Sequence, residues 1–216
     1  MSLLQVNDLC FRYPDQSEWL ISELSLSIEM GEIIAITGDS GSGKTTLLFL
    51  LSGVIPRHRS GEIKGVINLA AADHQNDFLA QLAPHISLVM QHPDEQIFFP
   101  TVEQELAFAP ENLCLPVSEI ESRIQYALKI LNIADIRYSQ TDQLSFGQQK
   151  LAALAAIHTL QPEILLLDEI SNGLASERLN DVSLLMKEYA ASGKAVVLAD
   201  HDQNLIALAD KIIKLS

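Results

Sequence analysis

Nine consecutive residues, Gly38-Asp39-Ser40-Gly41-Ser42-Gly43-Lys44-Thr45-Thr46, combine the chemistry needed to hold a phosphate chain. Glycines let successive backbone N–H groups turn inward around an anion, because a Cβ would block the turn or the approach. Lys44 would reach the β- and γ-phosphates, and the Thr45 hydroxyl would hold Mg²⁺. A second element, Asp168-Glu169, closes the apolar run Ile164 to Leu167. A buried strand ending in an acid places it beside the cradle, with Asp168 a Mg²⁺ partner through water. Glu169 would then orient or deprotonate an attacking water. An acid pair after a strand is often only the start of a loop; its pairing with the cradle makes the signal strong.

The flanks supply the elements that must position these groups. Ile33 to Ile36 leads into the cradle and a helical-looking Leu47 to Leu51 follows it, the strand–loop–helix context the motif requires. A glycine-rich turn that binds nothing is the bland alternative, and both flanks argue against it. Ile33 to Ile36, Ile164 to Leu167 and Ala195 to Ala199 are short unbroken apolar runs, as expected of parallel strands covered on both faces. Leu24, Leu26 and Ile28 alternate with serines, the pattern of a half-exposed strand. Ile120, Ile124, Leu128 and Leu131 share a helical face over residues 118 to 131, with Ser118 and Glu121 read as a capping box. Thr101 and Gln104 offer another helix start. One domain over residues 1–216 is expected, with a helical part at about 92–160 inserted in α/β material.

Further residues carry a resemblance to a known family. Leu144-Ser145-Phe146-Gly147-Gln148-Gln149-Lys150 resembles the signature of ABC ATPases, Gln91 the glutamine of their Q-loop, and His201 in Asp200-His201-Asp202 their switch histidine. Tyr13 sits where the family has an aromatic that stacks on adenine, with Phe11 as a rival. The resemblance covers essentially the whole chain, in the family's order. It implies a P-loop NTPase with a mainly parallel core sheet, an antiparallel β subdomain and a helical subdomain. It further implies ATP and Mg²⁺ as cofactors, Glu169, His201 and Gln91 as catalytic residues, and Thr45, Gln91 and Asp168 around the metal. ATP contacts would come from Tyr13, the run Gly38, Asp39, Ser40, Gly41, Ser42, Gly43, Lys44, Thr45 and Thr46, and from Ser145, Gly147 and Gln148 on an opposing subunit. Ser145 is also a natural N-cap, leaving N–H groups free to meet an anion.

A narrower resemblance lies in Gln91-His92-Pro93-Asp94-Glu95-Gln96-Ile97-Phe98, Thr101-Val102-Glu103 and Ala109-Pro110-Glu111-Asn112-Leu113. These runs are similar to the ATPase component of energy-coupling-factor importers of vitamins and transition-metal ions. That resemblance implies a second ABC ATPase subunit, a transmembrane T component, a substrate-binding S component, and a peripheral location on the cytoplasmic face of the membrane. Three positions depart from the pattern: Phe146 for a glycine, Ile170 for the proline after the glutamate, and Ala175 for the D-loop aspartate. Phe146 and Ala175 lead to the expectation that the second ATPase is a different chain and the two composite sites are unequal. The chain stops at Ser216, so dimer contacts are expected from nucleotide closure and the membrane partner. A soluble ABC ATPase or a nucleotide-sensing scaffold is the alternative. A nucleotide kinase or GTPase leaves the signature run and His201 unexplained, and no N-K-x-D guanine reader is present.

Composition narrows the partners. With 28 Asp and Glu against 14 Lys and Arg, the net charge of −14 argues against a general nucleic-acid binder. Two cysteines, Cys10 and Cys114, are too few for a disulfide framework, and no signal peptide or bilayer-length apolar run is visible. From Gly65 to Ser122 there is no Lys or Arg, yet there are nine acids. Membrane-protein loops at the cytoplasmic face are rich in Lys and Arg, and coupling helices of the T component carry arginines. Asp94, Glu95 and Glu103 are therefore expected to dock that partner, whereas Asp73 and Asp77 read as solvated decoration.

Overall fold

The unbroken apolar runs become the centre of a five-stranded, wholly parallel sheet, and a computed structural model describes it within residues 1–215. In chain order the first half contains β1 (Ser2–Arg12), β2 (Ile21–Glu29), β3 (Ile33–Thr37), α1 (Lys44–Leu51), α2 (Val54–Arg57), β4 (Glu62–Leu69), α3 (Leu79–Leu82) and β5 (Ile86–Val89). The second half contains α4 (Val102–Asn112), α5 (Val117–Ile130), α6 (Phe146–Leu160), β6 (Ile164–Asp168), α7 (Ser176–Ala191), β7 (Ala195–Ala199), α8 (Gln203–Ile206) and β8 (Lys211–Lys214). The parallel sheet has the order β5-β6-β7-β3-β8, and a separate antiparallel sheet has the order β2-β1-β4.

Two hydrophobic clusters explain why the central strands are apolar throughout. Ile34, Ile36, Leu166 and Val197 face α1 and the antiparallel sheet, in a cluster with Leu4, Phe11 and Leu48. Ile33, Ala35, Leu165 and Leu198 point the other way, toward α7 and the helices α4 to α6, with Leu106, Ile124, Leu128, Leu154 and Leu185. Alternation along each central strand thus sends successive side chains into two cores, and polar residues appear only at the strand ends, Thr37 in β3 and Asp168 in β6.

The expected helix starts fare differently. Thr101 caps α4, its hydroxyl accepting from the Gln104 N–H at 3.4 Å. The Ser118–Glu121 box does not form. Pro116 occupies the N-cap position of α5, so the helix begins at Val117 and Ser118 lies inside it. Glu121 turns instead to Arg137, which donates to its two oxygens at 2.8 and 2.6 Å, and Gln125 donates to it as well. Those bonds, Arg137 first, hold the Glu121 carboxyl down at about 2.

His158, near the end of α6, is buried with Nδ1 lacking a hydrogen-bond partner. Tyr126 stacks on it, Tyr189 meets it edge-on, and Glu188, Lys194 and Arg123 are the charges that act on it. Burial depresses its pKa from 6.5 to about 4. The unfolded chain therefore binds this proton first, so stability is lost as pH falls from about 6.5 toward 4, by roughly 3 kcal/mol from this one group. Denaturant midpoints at pH 7 and pH 4.5 should show a smaller difference for His158→Phe than for wild type. An equal difference in the two proteins would contradict it.

Candidate active site

Sheet register places the chemistry. Val89 pairs with Leu167, Leu167 with Leu198, Asp168 with Ala199, and Ile36 with Ala199, so four strands end level. Gln91, Glu169 and His201 follow those ends by one or two residues, and the cradle follows the end of β3. The carboxyl edge of a parallel sheet is where such folds bind ligands.

The cradle is shaped for an anion. Gly41 has φ +84, and a Cβ built there would meet nothing within 4 Å, so the loop opens at that point. Gly43 is the N-cap of α1 at φ +93, a conformation that favours glycine. Asp39, Ser40 and Gly41 form the exposed rim. Ser42 Oγ is buried and has no hydrogen-bond partner, a polar atom left for a ligand. Lys44 is buried and folds back over the loop, donating to the carbonyls of Gly38 and Asp39 at 2.9 and 3.0 Å. Nothing acidic pairs with it among the described residues, so its charge is available to a phosphate.

The Thr45 hydroxyl donates to Asp168 Oδ1 at 3.1 Å, joining the cradle to the end of β6. Asp168 is only 2 % exposed. Burial pushes its carboxyl up to about 6, with the Glu169 charge adding to the push and Thr45, Lys150 and Lys44 opposing it. Thr45, Gln91 and Asp168 line one cleft of about 170 Å³ with Phe49, Arg59, Met90, His92 and Glu95. An all-oxygen set of hydroxyl, amide and buried carboxylate suits a hard cation that keeps part of its coordination for substrate phosphates. Mg²⁺ fits these residues.

Gln91 Nε2 donates to Glu169 Oε2 at 2.6 Å, and His201 Nε2 lies 3.9 Å from the other Glu169 oxygen. The imidazole is 61 % exposed, so its ring can still meet a ligand. Glu169 carries φ +46, a left-handed backbone that costs a side-chain-bearing residue on the order of 1 kcal/mol or more. Its N–H donates to the Ala199 carbonyl at 2.8 Å.

Tyr13 is half-buried and its hydroxyl pairs with Thr46 Oγ1 at 3.0 Å, which ties it to the cradle. Phe11 is fully buried, packed edge-on under Tyr13, and cannot stack on a ligand. Ser145 caps α6 in a capping box with Gln148, but among the described residues neither they nor Gly147 hydrogen-bond to the cradle. They lie with Phe146 at the solvent-facing start of α6, beside Gly173: the Phe146 ring stands where a Cβ on Gly173 would be, 2.6 Å away. Ala175 is the N-cap of α7 and offers no side-chain cap. Ile170 is fully buried in the core, which accounts for an apolar residue at that position.

Two residues of the site lie inside the motif runs without a role assigned to them there. Lys150, fully buried, donates to the Glu169 and Asn172 carbonyls, and burial lowers its pKa against the pull of Asp200, Glu169 and Asp168. Asp200, also buried, follows the apolar β7 just as Asp168 ends β6. An acid terminating a buried strand was the available signal for it.

Fold and site together define a P-loop nucleoside-triphosphate-binding domain. Residues 21–172 match a family model described as ABC transporter, and the chain belongs to that family. It is 33% identical to the energy-coupling factor transporter ATP-binding protein EcfA of Methanocaldococcus jannaschii, over 98% of this chain and 75% of that protein. It is 35% identical to a Methanosarcina acetivorans protein named for ABC transporter ATP binding, again over 98% of this chain. There the match spans only 33% of the relative's length. Among solved structures, cbiO1 from Clostridium perfringens, described as part of the ABC transporter complex cbiONQ, superposes with a TM-score of 0.83 at 30% identity. That match covers 100% of this chain and 85% of the other.

Proposed function

We propose that the chain is the ATP-hydrolysing subunit of an importer of the energy-coupling-factor type, powering uptake of a vitamin or transition-metal ion through a membrane-embedded partner. The observation that carries the hydrolytic half is the 2.6 Å contact between Gln91 and Glu169, with His201 on the other carboxylate oxygen. Three side chains from three strand ends converge there beside the cradle.

Thr45 and Asp168, with Gln91, would hold Mg²⁺, which neutralises charge on the β- and γ-phosphate oxygens when bound. Lys44 and the backbone N–H groups from Gly41 onward hold the phosphates, and Tyr13 meets the adenine. Gln91 and His201 orient water against Glu169, which takes its proton as the oxygen attacks the γ-phosphorus. The bond to the bridging oxygen breaks and ADP leaves. Ser145, Gly147 and Gln148 are offered to the nucleotide of a second ATPase subunit. Phe146 and Ala175, which alter the surface so presented, favour a different chain as that subunit.

The importer class rests on the run Gln91 to Phe98 and on likeness to EcfA and cbiO1. Among the described residues no helix is long and apolar enough to cross a membrane; in this reading the chain meets the membrane through its partners. Asp94 and Glu95 sit exposed in a short turn after Gln91, without ion-pair partners among the described residues, next to Phe98, 65 % exposed. Glu103 is already engaged by Arg137 at 2.7 Å, and Glu105 is buried, accepting from the Phe98 and Phe99 N–H groups. The docking role therefore narrows to Asp94 and Glu95. Asp94→Asn with Glu95→Gln should weaken assembly of the membrane complex about tenfold and reduce its salt dependence. Unchanged assembly and salt sensitivity would remove the docking surface.

A further inference from the structure

Two buried charges hold the turn that follows Asp168, one from α6 and one from the end of β7, and neither belongs to the phosphate cradle. From α6, the Lys150 ammonium donates to the Glu169 carbonyl at 2.7 Å and to the Asn172 carbonyl at 2.9 Å. From the end of β7, Asp200 accepts from the Ser171 N–H at 2.9 Å and the Ser171 hydroxyl at 2.5 Å. The same Asp200 carboxylate accepts from the backbone N–H groups of His201 and Asp202 at 2.7 and 2.9 Å. Lys150 is 0% exposed and Asp200 1%. Buried charges like these are a poor device for stability, since apolar groups of similar volume often serve as well or better. Their geometry accounts for them differently. The turn they hold begins with Glu169 at φ +46, a conformation its surroundings must enforce. Asp200 Oδ1 receives both the Ser171 hydroxyl and the His201 N–H, so one oxygen joins the Glu169 turn to the His201 loop.

We propose that Lys150 and Asp200 are positioning residues that clamp the turn 169–172 and fix the Glu169 carboxylate and His201 imidazole relative to each other. Neither touches the nucleotide. Each acts through the backbone of a residue that does. This role rests on the hydrolytic reading of the site, and the test separates the two.

Steady-state phosphate release and equilibrium ATP affinity are measured on the assembled complex carrying Lys150→Met, Lys150→Arg or Asp200→Asn, beside wild type and Glu169→Gln. Lys150→Met keeps the stem and removes the donors; Asp200→Asn keeps the shape and removes acceptor capacity. Both are expected to lower kcat about tenfold to a hundredfold, the scale of an ångström-sized misplacement, with KM and ATP affinity within about twofold of wild type. Lys150→Arg, which retains donors, should recover most of the lost kcat. A Lys150→Met rate within about twofold of wild type overturns the clamp. So does a loss of ATP affinity parallel to the loss of kcat, or a Lys150→Arg rate no better than that of Lys150→Met. If Lys150→Met does not assemble, Asp200→Asn decides by the same criteria. Wild type indistinguishable from Glu169→Gln would overturn the hydrolytic reading and the clamp's role together, a result recognisable because every variant would then sit at one background rate.

Discussion

Replacing Glu169 by glutamine is expected to cut steady-state phosphate release by about a thousandfold while ATP still binds. The substitution preserves shape and the capacity to meet Gln91, whose amide lies 2.6 Å from the carboxylate, but removes the group that takes the proton from water. General-base contributions run from about a hundredfold to ten-thousandfold, and here the loss should fall wholly on kcat. Lys44, Ser42 and the N–H groups of the cradle are untouched, so nucleotide affinity should stay within about twofold. Phosphate release and equilibrium binding on one preparation check both halves. Comparable rates in the two proteins would exclude Glu169 as the base.

The second large effect belongs to Lys44. Its ammonium is buried and bonded only to the Gly38 and Asp39 carbonyls among the described residues, so its charge is held over the cradle without an acidic partner. Lys44→Ala removes two charge-assisted bonds to phosphate, each worth about 1.5–3 kcal/mol, which is about a hundredfold or more in affinity. The expected signature is the reverse of that for Glu169: binding fails and hydrolysis fails with it. ATP titration monitored by calorimetry reads it. Retained affinity would mean that the backbone N–H groups suffice to hold the nucleotide.

The central strands were legible because two cores demand apolar residues on both faces up to the strand ends, leaving runs such as Ile164 to Leu167 that no surface strand would show. The cradle was legible because glycine, lysine and threonine at that spacing have few other uses. Adjacency across strands was harder to read. Nothing in the chain between Gln91 and Glu169 says that they touch; only the level ends of β5 and β6 bring them together. The Ser118–Glu121 box failed because a local motif competes with tertiary partners, and Arg137 draws Glu121 away. Glu103 looked free for docking for the same reason, with its arginine 34 residues on in sequence. Lys150 carried no assigned role because a lysine is ordinarily a surface residue, and its burial becomes visible only when the carbonyls that receive it are in place.

An ATPase that works through a membrane partner should be recovered with that partner when the complex is purified from membranes through a tag on this chain and the accompanying chains are identified. A second ABC ATPase and polytopic membrane proteins are expected in fixed proportion, with ATP hydrolysis in the same fraction. Recovery of the chain from the soluble fraction, free of membrane proteins, would contradict it.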